Sequence, residues 1–586
     1  MDVDVDGVNL TYLAFNKNNE KKLEIKCLES KKKDDDKLWM KKITATIFKA
    51  DKLGEDIHVS ADSGYSRNEF NDFFLQGNAL ISSPKFTLAS KSFDLKSLDF
   101  LSTGDPVDIK LTNLTGQAKK GLVYLIGKKV MKLLTPRGVL IRANKTYNFQ
   151  AQILRVVEKK NMLLFDKDVV MGGVGTTIKG DRVSLQFDQD FANLEWALAY
   201  GNCFFQTTET VKNGDPQSRE INADRIKMTY DPEGRLRQIT VDGAGKITLA
   251  DKKNKSRIES DAIEISLRSE TQTLETVRIP TRGTLASRGR DNVTVSGDSI
   301  AATYSQDGVL AGIKAKNNCE FSMDDFRGTA AAITYDAAHF LIELIGKDAV
   351  IFSKNNIFKS SSFLIHTNRR QLNSDKNVRA TVIPEKNNVL FKAKPLFITA
   401  LGMEMTEKGN LIRFKEKVNL FQDDIEMHAG EMIFDNTRNR ISCQGKTELK
   451  FLDRNELVVL RGQTISFNTL ERQVVVVGAA RLYQAENTLG GRQIELSFDS
   501  DNQLETILAR DDVAFSKKDL SGKSGLLHWY FNKKLVLFEN AAQITRKDAG
   551  TTRGRELLLN LSSNEIKVSN QDGRVETIIK QNRPEA

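Results

Sequence analysis

At 586 residues the chain is too long for one ordinary globular domain, so several domains or a repeat array is expected. With 9 prolines, 28% charged and 40% hydrophobic residues it is not a long disordered chain, and no run approaches the roughly 18 apolar residues a membrane helix requires. The 87 Lys and Arg against 77 Asp and Glu leave a formal charge of +10, compatible with a plain solvated surface or with anionic lipid or phosphate partners.

The opening stretch, MDVDVDGVNLTYLAF, lacks the basic, apolar and small-residue sections of a signal peptide. Taken literally that points to the cytoplasm, but a chain relieved of an export or anchor segment reads the same way. KKKDDDK (Lys31–Lys37) mixes signs and is expected as an exposed loop. MGGVGTTIKG (Met171–Gly180) has the glycines of a phosphate cradle without its Gly-Lys-Ser/Thr ending or a following helix, and reads as a turn.

From there on apolar and polar residues alternate with period two, the mark of strands with one buried face. IKGDRVSLQFDQDFANLEWALAYGNCFF aligns Val183, Leu185 and Phe187; INADRIKMTYDPEGRLRQITVDGAGKITL aligns Ile226, Met228 and Tyr230. VSGDSIAATYSQDGVLAGIKA carries Ile300, Ala302 and Tyr304, and RGTAAAITYDAAHFLIELIGKDAVIF carries Ile333 and Tyr335. Propensity alone would make Ala330–Ile345 a helix; its register with the other copies makes it strand. The same face returns as Met432 and Phe434, Ile465 and Phe467, Ile494, Leu496 and Phe498, Leu527, Trp529 and Phe531, then Leu557, Leu559 and Leu561. Phe434, Phe467, Phe498, Phe531 and Leu561 lie 33, 31, 33 and 30 residues apart. Each unit turns through Asp, Asn, Ser or Thr and returns along a second strand, which is hairpin grammar.

A lone hairpin cannot bury its apolar face, so the copies must stack into an elongated all-β solenoid or two-sheeted roll. At about 4.8 Å per strand the stack would be on the order of 100 Å long. Its inward residues form either a sealed core or an apolar trough, and periodicity does not choose between them.

Residues of chemical interest are sparse. His58, His339, His366, His428 and His528 show no zinc-like spacing, though His58, His366 and His428 stand near unit starts. Cys27, Cys203, Cys319 and Cys443 are far apart and read as buried strand thiols, one disulfide being compatible with an oxidising compartment. No Gly-x-Ser-x-Gly elbow is present, and neither an enzymatic activity, a metal nor a cofactor is expected.

INADRIKMTYDPEGRLRQITVDGAGKI and LRGQTISFNTLERQVVVVGAARL resemble the OstA-like repeats of the lipopolysaccharide-transport bridge proteins, LptA and the N-terminal domain of LptD. The first third resembles the related LptC: DGVNLTYLAFNKNNEKKLEIKCLES is similar to its opening strands, ITATIFKADKLGEDI to a following pair, and HVSADSGYSRNEFNDFFLQGNALI to its signature at Asp62, Gly64, Leu75, Gly77 and Asn78. The resemblance implies an LptC-like domain over 1–205 and an LptA/OstA-like region over 206–586 that continues the stack. It further implies an open β-jelly roll, V-shaped in section. The inward residues above would line a groove for the acyl chains of lipopolysaccharide or a related lipid. The implied setting is the periplasm, tethered to the inner membrane, although the membrane helix that opens LptC proteins does not stand here. The implied partners are an inner-membrane transporter at the N-terminal edge and an LptD-type translocon or another bridge subunit at the C-terminal edge, near Glu556–Lys567. NQDGRVETIIKQNRPEA could instead cap that edge. The alternatives are a structural or adhesive solenoid with a closed core and, further off, a carbohydrate-active β-helix enzyme.

Overall fold

The computed structural model describes residues 7–578 apart from 17, 34–36, 49–54, 143–144, 174, 211–215, 251–254, 290–291, 325, 384–389, 392–393, 407–408, 469, 548 and 570–575. Among the described residues the regular elements are β-strands, paired antiparallel with their neighbours, apart from short 3-10 turns such as Glu158–Lys160. No helix among the described residues is long and apolar enough to cross a membrane. The chain forms two compact units, Met1–Ile313 and Lys314–Ala586. Residue 205 falls inside the strand Leu194–Thr210 of the first.

The strands are long because each one bends midway. In the second unit Arg440–Asp453 pairs with Glu456–Asn468 from one end to the other, but its register shifts between Gln444 and Thr447. There Gly445 and Lys446 take φ of 81° and 52°. Two successive left-handed residues swing the chain through a corner, as bulges do at the rims of rolled sheets. The first half of the strand therefore belongs to one wall of a folded sheet and the second half to the other.

The same doublet sits at the register shift of Gly77–Asn78, Lys167–Asp168, Gly201–Asn202 and Gly243–Ala244 in the first unit. In the second it recurs at Glu416–Lys417, Gly478–Ala479, Asp511–Asp512 and Asn540–Ala541. Gly77 is required twice over. Its φ is 75° and a Cβ there would lie 2.8 Å from Asp62 Oδ2, while Asn78 Nδ2 donates to that same oxygen at 2.7 Å. Gly201, with φ of 69°, stands against Asp181 in the same way.

Where the doublet is missing, the corner becomes a break. Phe86–Lys96 pairs with Phe100–Thr103 along one half and with Val107–Leu111 along the other. Lys255–Leu267 and Asn356–His366 divide their partners likewise.

Two sequence expectations need refinement. Lys31–Lys33 and Lys37 are strand residues, with Lys33 opposite Lys37, and 34–36 lie outside the described residues. Gly550–Asn560 is not the final edge. Ile566–Ser569 pairs along Glu556–Leu559 and Glu576–Ile578 along Thr551–Arg553, so residues of the tail cover it. The rest of that tail, 570–575 and 579–586, lies outside the described residues.

Candidate lipid groove

Alternation sends every second side chain inward, and the inward residues of the two walls meet. Of the 23 lining positions expected from the sequence, 20 are buried: Val183, Leu185, Phe187, Ile226, Met228, Ile300, Tyr304, Ile333, Tyr335, Met432, Phe434, Ile465, Phe467, Ile494, Leu496, Phe498, Leu527, Trp529, Leu557 and Leu559. Tyr230, Phe531 and Leu561 are half-buried. Within each unit nearly all belong to one wall, the one that ends in the Asp- and Asn-rich turns.

Sequence reasoning missed the facing wall. In the second unit Phe451 lies 5.9 Å from Phe498 between ring centroids, and Phe515 lies 5.8 Å from both Trp529 and Phe538. In the first unit Phe86 meets Tyr124 and Phe149 meets Phe165, each pair at 5.3 Å. The signal was available, because the return half of each repeat, such as KTELKFLD with Leu449 and Phe451, alternates as clearly as the first half.

Opposite the corners, the strand ends form two rims that touch through polar side chains. In the second unit the buried Asp453 accepts the Leu504 N–H on Oδ1 at 2.9 Å. Beside it Arg454 donates to Gln503 Oε1 and Leu504 O, both at 3.2 Å, and to Asn532 Oδ1 at 2.7 Å. Lys517 Nζ reaches Leu561 O at 2.7 Å, Lys354 Nζ reaches Asn410 Oδ1 at 3.0 Å, and Arg546 reaches Asn564 O. In the first unit Asn113 donates to Phe191 O and Arg219 to Gln272 O. None of these contacts is a strand pairing. Between Arg219, Leu249, Ser256 and Tyr304 the space left is about 40 Å³, room for water but not for a hydrocarbon chain. At these contacts side chains span the mouth, as backbone spans the corners.

Charged groups elsewhere are structural. Burial tends to raise the Asp166 carboxyl, but Arg155 and Arg182, the latter at 2.6 Å, outweigh it and hold the group below the ordinary carboxylate range. Burial pushes Glu158 up even though Tyr124 Oη donates to it at 3.0 Å. All four cysteines are free and buried; burial pushes the Cys203 thiol up to about 11 and raises those of Cys27 and Cys443. His428 bridges Asn419 and Glu426, His339 pairs with Asp336, and His58 bonds Thr46. No group of three metal-ligating side chains forms among the described residues. Around Met171–Gly180 the chain passes between the paired strands Met162–Gly173 and Thr176–Phe187, with Gly175 at φ 70°.

Two antiparallel walls joined at bulged corners, with an apolar interior and a polar mouth, define an all-β jelly roll of the repeat-built kind. Residues 1–140 match the family described as lipopolysaccharide-assembly, LptC-related, and residues 397–565 match the LptA/LptD N-terminal domain lipopolysaccharide-transport family. With both region types on one chain, this is a periplasmic bridge protein of lipopolysaccharide transport. Both matched families are transport and assembly families. Among solved structures, the crystal structure of LptH from Pseudomonas aeruginosa, the LptA-homologous periplasmic component of its lipopolysaccharide transport device, aligns at 12% identity with a TM-score of 0.21. The alignment covers 22% of this chain and 99% of that one. No curated protein matches the chain by sequence.

Proposed function

We propose that the acyl chains of lipopolysaccharide, or of a related glycolipid, travel between the two walls while the sugars stay outside the mouth. One observation carries this reading: among the described residues the walls are tied by continuous chain at the corners but by side-chain hydrogen bonds at the mouth. Each such bond contributes about 0.5–1.5 kcal/mol, so parting half a dozen of them costs on the order of 6 kcal/mol. Burying a methylene returns about 0.8 kcal/mol, so roughly eight methylenes offset the opening. The attraction is nonspecific, which lets a chain slide along the interior without any chemical step.

In this reading residues 1–205 serve as the LptC-type part and 206–586 as the LptA-type part, and the protein is held at the inner membrane. The N-terminal strand Gly7–Phe15 pairs with Lys21–Lys33 on one side and exposes Val8, Leu13 and Phe15, which suits strand addition by the membrane extractor. The outer-membrane partner would add to the short strands Ile566–Ser569 and Glu576–Ile578. A second reading, a spacer with a sealed core, draws on the burial of the lining. Photocrosslinking in cells separates the two. A photoreactive residue at Phe467 or Phe498 should capture lipopolysaccharide, whereas capture confined to the outward Glu495, or none at all, would leave only the spacer.

A further inference from the structure

The rim contacts of the second unit share the kind of acceptor their cations bind. Arg454, Lys517 and Arg546 stand on one rim, and their partners on the other are backbone carbonyls and side-chain amides: Leu504 O, Gln503, Asn532, Leu561 O and Asn564. Among the described residues no carboxylate lies within ion-pair distance of any of the three; their partners are neutral acceptors. Their three positive charges therefore stand at the mouth on neutral acceptors, with the buried Asp453 carboxylate bonded to the Leu504 N–H beside Arg454. Lys517 and Arg546 converge on one turn, since Lys517 Nζ lies 3.5 Å from Asn564 Oδ1 and Arg546 donates to Asn564 O. Directly beneath lie apolar side chains: Phe498, Leu504, Phe515, Trp529, Ile544 and Leu559 are all buried.

We propose that Arg454, Lys517 and Arg546 form a phosphate-binding rim for the anionic head group of an amphiphile whose chain enters the interior below. This deepens the lipid-groove reading and rests on it. Neutral carbonyls are weaker acceptors than a phosphate oxyanion, whose charge-assisted bonds are roughly twice as strong, and a guanidinium fork matches phosphate geometry. Exchanging the carbonyls for phosphate therefore unties the mouth and seats the head group in one event. The closed rim holds its own binding groups in reserve.

The test uses the full chain with Trp39 and Trp196 replaced by Phe, so that emission reports on the buried Trp529. Dodecyl phosphate and dodecyl maltoside, which share a chain and differ in head group, are titrated below micelle formation, and inorganic phosphate is added as a competitor. The expected result is dodecyl phosphate binding about tenfold more tightly than the maltoside, with an advantage that falls as salt rises. Arg454→Gln/Lys517→Gln/Arg546→Gln should erase that advantage and leave maltoside binding intact or tighter. The milder pair Lys517→Gln/Arg546→Gln, should the triple variant fold poorly, should erase most of it. Equal wild-type affinity for the two amphiphiles overturns the rim while the groove stands. Failure of both to bind removes the groove and the rim with it. Full displacement of dodecyl phosphate by millimolar inorganic phosphate would identify a site for the free ion and overturn the head-group assignment.

Discussion

Replacing Phe515 by alanine distinguishes a groove from an inert core. The ring is 2% exposed and meets Trp529 and Phe538 edge-on at 5.8 Å each, so it bridges the two walls. Truncating a buried Phe costs about 3–5 kcal/mol, of which the two aromatic contacts account for roughly 0.5–1.5 kcal/mol apiece. The hole lies where an acyl chain is proposed to run. An amphiphile filling it at about 100 times its dissociation constant should restore roughly 2.7 kcal/mol. Guanidinium unfolding followed through Trp529, in the chain lacking the other two tryptophans, should show a lowered midpoint that a dodecyl amphiphile raises further in the variant than in the wild type. If the midpoint falls as expected and the amphiphile moves neither protein, no chain enters between the walls.

Gly201→Ala should destabilise the first unit by about 1–2 kcal/mol from its left-handed backbone alone, and by more through the clash with Asp181, which Asp181→Ala should partly relieve in thermal melts. Asp166→Asn should cost about 1–3 kcal/mol at neutral pH. Because the folded carboxyl titrates below its unfolded value, the advantage of Asp166 is whole above about pH 4 and should vanish as pH falls through the folded pKa, which denaturant midpoints across an acid series would show. The four cysteines, buried and with raised pKa at Cys27, Cys203 and Cys443, should resist an aromatic disulfide reagent at pH 8 until the chain unfolds. Rapid labelling of the native protein would contradict that burial.

The strand faces were legible because a two-residue period needs no tertiary context: Ile494, Leu496 and Phe498 had to share a side, and they do. The turns after them were legible for the same local reason, Asp499 accepting the Asp501 and Gln503 amides. The corners were half-visible. Glycines mark many of the corners, but Asp511–Asp512 and Glu416–Lys417 make the same bend without one, because tertiary pairing holds residues that local preference disfavours. The closed mouth was not legible at all. Asp453 and Leu504 are 51 residues apart, and nothing in either segment announces that sheet twist brings the rims together.

The corner doublets at Gly445–Lys446, Gly478–Ala479 and Asp511–Asp512 recur every 33 residues, once per pair of strands. From Ile425–Asp435 to Leu535–Arg546 each strand pairs only with its neighbours in sequence. A whole hairpin could thus be inserted or deleted between two others, leaving its former neighbours to rejoin with their side-chain parity intact. At about 4.8 Å per strand each such event would change reach by about 10 Å. Length in this architecture is inherited in discrete steps, so a bridge could be fitted to a wider or narrower envelope by duplicating whole hairpins instead of redesigning its surface.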